Sequence, residues 1–143
     1  EGIQQSTVVK AEITKIRRSS RGAKPADSIK AYDDLITKYK PSGQVLQEVL
    51  FAKSFAHFQA GQALKKEAGE TEDKAAAAKV EADSSNQMVA ARNLLLQAKK
   101  LAPKTKIGGQ VDGIINRYFK DLPGGPKAPE ASEKKSLEVP KKK

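Results

Sequence analysis

The chain has 143 residues, 38% hydrophobic and 31% charged, with four Phe, three Tyr and no Trp, enough for one modest domain with a thin aliphatic core. Its 27 Lys and Arg outnumber its 17 Asp and Glu, and the net charge of +10 favours anionic partners without specifying a fold. The lack of cysteine excludes a disulfide framework and thiolate metal sites, and no apolar run reaches the ~18 residues that would span a bilayer.

Residues 6–18 place Val9, Ile13 and Ile16 on one face of a first helix. Ser6 or Thr7 is expected to cap its start, and Arg17 and Arg18 suit the dipole at its end. The run SSRGAKP that follows is a loop by composition, with Gly22 and Pro25 as breakers. A second helix is predicted over 26–40, where Ile29, Tyr32, Leu35, Ile36 and Tyr39 recur at three- and four-residue steps. Pro41 ends it, and Ser42 is expected to cap the next.

The third helix, 44–68, carries Leu46, Val49, Leu50, Phe51, Phe55, Ala56, Phe58 and Leu64. That surface is wider than one stripe, so this helix should lie between neighbours, with Gly61 as a soft spot. Residues 65–85 are alanine and charge, with Val80 the one large aliphatic, and read as an exposed insertion. It is either an exposed extension of the third helix or a solvated helical excursion after Gly69, since the four alanines favour helix. A fourth helix over 86–102 turns Met88, Ala91, Leu94, Leu95, Ala98 and Leu101 inward, and Pro103 stops it. A fifth, shorter helix over 108–121 carries Val111, Ile114, Ile115, Tyr118 and Phe119. Residues 123–143, with four prolines and six lysines, cannot bury enough apolar surface to fold and are expected to form a flexible tail. The β-branched residues never alternate over a strand length, so the fold class is all-α with about five helices.

The fourth helix shows Ala91, Leu95 and Ala98 followed by Pro103, a small–large–small pattern closed by proline. It resembles the second helix of the tetratricopeptide repeat. In the second helix Ser28, Tyr32, Leu35, Ile36 and Tyr39, then Pro41 and Ser42, resemble the corner common in bacterial envelope members of that family, with Lys40 inserted before the proline. In the third helix Leu50, Ala56 and Gly61 match the first-helix spacing, whereas Lys53 and His57 stand where a leucine and a tyrosine are usual. The resemblance covers roughly residues 7–121. It implies antiparallel helix-turn-helix pairs in a domain spanning 1–122, with a groove between pairs that binds another protein.

No catalytic constellation stands out, and no cofactor or metal is expected: one His and no Cys leave only carboxylates, without a calcium-loop pattern. His57 reads as a packing or surface histidine. Asp33 and Asp34 point about 100° apart on a helix and read as a solvated face rather than an acid–base dyad. Gly108-Gly109 and Gly124-Gly125 lack a phosphate-loop context and read as a helix start and a tail hinge. The P-x-x-P spacings at Pro123, Pro126 and Pro129 suit a spacer.

The densest basic neighbourhood is Arg92, Lys99, Lys100, Lys104, Lys106 and Arg117, the candidate partner-binding residues. If an extended acidic segment is the ligand, cations of the late helices should line the groove. The expected function is thus a non-catalytic interaction or assembly module with a protein partner. The alternatives are a basic nucleic-acid-associated protein, with salt-sensitive binding through the tail and residues 99–106, or a peripheral helical subunit of a larger, membrane-bound assembly. A start at Glu1 is compatible with a cleaved secretory signal, and the envelope-type corner with the bacterial periplasm, so export and retention stay equally open.

Overall fold

The five apolar stripes become five α-helices, and no strand occurs among the described residues, which are 2–19, 24–120 and 122 of the computed structural model. They are α1 (Gly2–Ser19), α2 (Pro25–Tyr39), α3 (Gly43–Glu70), α4 (Lys74–Leu101) and α5 (Lys106–Tyr118). No described helix is long and apolar enough to cross a membrane. The loop residues 20–23 and the expected tail, 123–143, lie outside the described residues. Two compact units divide the chain, Glu1–Val111 and Asp112–Lys143, so the boundary falls inside α5, ahead of the one expected at residue 122.

The ends of the helices follow local chemistry, with corrections to the sequence reading. α1 begins at Gly2, so Ser6 and Thr7 are interior rather than capping residues. Pro25 opens α2 at its first helical position, where its missing N–H costs nothing and its φ is already helical. After Tyr39 the chain reverses through Lys40 in the left-handed region (φ 45°), whose N–H donates to the Ile36 carbonyl. Ser42 does occupy the N-cap of α3, but its hydroxyl makes no cap bond; its carbonyl accepts from the Leu46 N–H instead.

Residues 65–85 are helical and mostly exposed: α3 extends to Glu70, and another helix follows the turn after Gly69. The correction is to α4, which starts at Lys74 rather than at residue 86. Asp73 makes the turn possible, since its carboxylate accepts from the Ala76 N–H (2.9 Å) at the N-cap of α4. The result is an antiparallel hairpin with arms of 28 residues, each about 42 Å long. Its register is visible in the cross-links, Gln47 with Ala98, His57 with Gln87 and Gly61 with Ser84. At this length the hairpin exceeds a helix-turn-helix unit of roughly 34 residues.

α3 is the central element of the first unit and touches α1, α2 and α4. On one side its Val49, Ala52 and Ala56 join Val9, Ile13, Tyr32 and Leu35 in a core cluster, flanked by Ile16, Ile29, Ile36 and Tyr39. On the other, Leu50 joins Leu94 and Ala98 of α4. The broad apolar surface of α3 is thereby used on two sides. Lys53 reaches Asp33 of α2 at 2.6 Å, and Asp34 pairs with Lys30 at 2.9 Å, so the two carboxylates point to different partners.

Gly61 is a point of close approach rather than a weakness. A Cβ there would lie 2.9–3.0 Å from the Met88 side chain, and the Gly61 carbonyl accepts from the buried Ser84 hydroxyl at 2.6 Å. Small residues at 61 and 84 let the two arms cross closely before the alanine-rich tip.

In the second unit the Phe119 N–H donates to the Ile115 carbonyl (2.8 Å), extending the helical path past Tyr118. Tyr118 is 52% exposed and meets Phe119 edge-on, with Arg117 over its ring at 5.5 Å.

Candidate functional site

Two positions that the helical period turns inward behave differently. Leu94, Leu95 and Ala98 are buried along α4, but Leu101, one turn further, is 39% exposed. The cause lies in how α3 is flanked. α2 and α4 both pack on α3, yet their backbones do not touch each other. A furrow therefore remains between them, floored by Leu46 and Leu50 of α3, with Ile36 of α2 on one wall and Gln97, Lys100 and Leu101 of α4 on the other. Its volume is about 480 Å³, twice that of the hollow between α1 and α2 (about 240 Å³), and four of its six lining residues are aliphatic.

The wall formed by α4 is held by a buried polar clamp that periodicity does not reveal. Gln47 is fully buried among apolar neighbours. Its Nε2 donates to the carbonyls of Ala98 and Ala102, both at 2.8 Å, where the end of α4 leaves backbone acceptors without helical partners. Its Oε1 lies 2.7 Å from the Thr105 hydroxyl, which also sits 2.8 Å from the Ala102 carbonyl and accepts from the Gly108 N–H at 3.0 Å. One side chain of α3 thus fixes the last turn of α4 and the turn leading into α5. Gly108 is required there, because a Cβ would fall 2.5 Å from the Ala102 carbonyl oxygen and 2.6 Å from that of Pro103.

The basic residues separate. Lys100 is exposed and lines the furrow; Lys104 and Lys106 are exposed in the turn and at the start of α5; Lys99 is half-buried. Arg92 is a correction: it is 4% exposed, and burial pushes its pKa down from the usual range, so it is a packed side chain rather than a surface cation. Arg117 is exposed in the second unit. Lys99 and Lys100 also serve the last turn of α4, where the helix dipole favours cations.

His57 is half-buried between the arms of the hairpin. Its Nδ1–H donates to Gln87 Oε1 at 2.7 Å. Burial holds its pKa below 6.5; the bond to Gln87 opposes that shift, as does the Asp33 carboxylate, while nearby Lys53 adds to it. The unfolded chain therefore binds a proton at pH values where the folded one does not. Stability should be constant above pH 6.5 and fall as the pH drops below it, until His57 protonates in the folded state. His57 is the chain's one histidine, so urea midpoints of His57→Gln should lack this slope. An unchanged slope would place the titrating group elsewhere.

No protein family matches the chain, and neither a curated protein nor a solved structure matches it. The reading of function rests on the chain's own residues.

Proposed function

We propose that the protein is a non-catalytic interaction module that binds a partner protein in the furrow between α2 and α4. The observation that carries this reading is the uncovered Leu101 beside the partly buried Leu46 and Ile36, in a concavity of ligand-cleft size, roughly 300–1,000 Å³. A partner that fills it gains about 25 cal/mol per Å² of apolar surface removed from water. The tetratricopeptide-like pattern adds to the reading. Ala91, Leu95 and Ala98, which carry part of that pattern, are all buried.

The test is a pair of pull-downs from native extract, with the unaltered chain and with Leu101→Glu, each with and without nuclease. Because Leu101 is partly exposed, the substitution should leave the fold intact, checked by circular dichroism. The proposal predicts a protein retained by the unaltered chain at near-stoichiometric yield, lost with Leu101→Glu and indifferent to nuclease. Retention by both chains, or loss on nuclease treatment, would contradict it. The latter result would favour the nucleic-acid reading, which the exposed Lys100, Lys104 and Lys106 keep in view.

A further inference from the structure

Charge along the chain is not spread evenly around the furrow. The segments that build it are residues 35–50, from the end of α2 into α3, and the latter part of α4. The one carboxylate in 35–50 is Glu48, which turns to Lys10 of α1 at 3.7 Å, and no Asp or Glu occurs from 84 to 111. Over the same stretches stand Lys38, Lys40, Arg92, Lys99, Lys100, Lys104 and Lys106. Arg92 is buried, and Lys38 faces the hollow beside α1, but Lys100 lines the furrow, Lys40 follows α2 directly and Lys104 follows α4. The end of the bundle around the furrow thus carries an excess of cations, and no carboxylate is among the furrow's lining residues.

The shape adds a second constraint. Leu46 and Leu50 are spaced i,i+4 along the floor, and Gln97 and Leu101 i,i+4 along the wall. Two parallel rows one helical turn apart suit a partner that also repeats every turn, with large side chains at i and i+4. No aromatic side chain lines the furrow, so stacking of nucleic-acid bases has no platform there.

Resting on the interaction reading above, we infer that the occupant is an acidic amphipathic helix of a partner protein, with a short aliphatic stripe that enters the furrow and Asp or Glu beside it that meets Lys100, Lys40 and Lys104. Two segments of this chain are poorer fits. The hairpin tip, residues 65–83, is acidic, with six carboxylates against four lysines, but Val80 is its one large aliphatic, so it lacks the stripe. Residues 123–143 carry six lysines against three carboxylates, the wrong sign.

Three labelled helical peptides test this with the full chain by fluorescence anisotropy: one with a leucine stripe flanked by Glu, one with the same stripe flanked by Lys, and one with Glu flanks and alanine in place of leucine. The Leu/Glu peptide should bind at least about tenfold more tightly than either control, a selectivity of about 1.4 kcal/mol. Leu101→Glu should abolish that binding. Lys100→Glu should weaken it several-fold, as should raising salt from about 50 to 200 mM, which screens exposed charges. Equal binding of the Lys-flanked peptide would overturn the acidic specificity while leaving the furrow as a docking site. Equal binding of the alanine peptide would overturn the aliphatic anchor. If none binds, the helix-in-furrow inference falls, and the Leu101→Glu pull-down decides separately whether the furrow docks any protein. Displacement of the peptide by an RNA oligonucleotide whose own binding ignores Leu101→Glu would make this end a nucleic-acid surface and overturn the inference. Sedimentation equilibrium showing that copies associate through the furrow, with Leu101→Glu restoring the monomer, would replace the partner helix with a second copy.

Discussion

Gln47→Glu should lower the melting temperature by about 10–20 °C, far more than any change of an exposed side chain. The amide Nε2 of Gln47 is the donor that satisfies two backbone carbonyls at the end of α4, and the site is closed to water. A carboxylate has no proton to give, so the Ala98 carbonyl loses its donor, the Ala102 carbonyl keeps only Thr105, and a charge is buried facing both. Breaking a buried pair in this way costs about 3–5 kcal/mol, and for a domain of this size each kcal/mol moves the midpoint by roughly 3–4 °C. Gln47→Leu removes the donor without adding charge and should cost less, about 1–3 kcal/mol, the penalty of leaving the Ala98 carbonyl without a donor. The ordering of the two variants separates the clamp from simple packing. The Glu variant has a further signature. Burial raises its carboxyl pKa, and the protonated acid regains one donor, so its deficit relative to the unaltered chain should shrink as the pH falls through that raised value. Thermal melts of both variants between pH 5 and pH 8 (about the neutral range, where Glu is otherwise ionised) would check this. A Glu variant that melts with the unaltered chain would show that Gln47 does not hold α4.

Ala98→Phe should also be strongly damaging, at about 1–3 kcal/mol, or roughly 3–12 °C. Ala98 is fully buried against Leu50 and Leu94, and its own carbonyl is one end of the Gln47 clamp. A ring at that position must push α4 off α3, which strains the packing and the clamp together. Ala91→Phe should follow the same course, because Ala91 is equally buried. Ala78 provides the contrast: it is exposed on the hairpin tip, and Ala78→Phe should fall within about 0.5 kcal/mol of neutral. Near-neutral melts for the Ala91 and Ala98 variants would mean that the two arms do not pack closely there.

The contrast between Ala78 and Ala98 also shows which features a sequence reveals and which it hides. Val9, Ile13, Tyr32, Leu35 and Val49 repeat at helical spacing, and all are buried. Such residues make the helical class and the path of α1, α2 and α3 readable, because burial is what their spacing reports. The start of α4 is unreadable by the same signal. Residues 74–83 are helical through alanine propensity and the Asp73 cap, with almost nothing buried, so no apolar stripe marks them. Gln47 is invisible for the opposite reason: it is a polar residue on an apolar face, and its partners lie 51 and 55 residues away. Arg92 illustrates the limit of counting charge, since a cation in the sequence can be a buried side chain in the fold. Leu101 is the most consequential case. Periodicity assigns it to the core with Leu94 and Ala98, but it stands on the wall of a furrow that α2 does not close, and it stays partly open to water.

That uncovered position is also the most direct point of test. Two-dimensional amide NMR of the full chain, titrated with the Leu/Glu helical peptide, should shift the resonances of Ile36, Leu46, Leu50, Gln97, Lys100 and Leu101 together. Those of the hairpin tip around Ala75–Ala78 should stay in place. Shifts centred on the tip, or scattered over the basic side chains without the furrow leucines, would contradict the account.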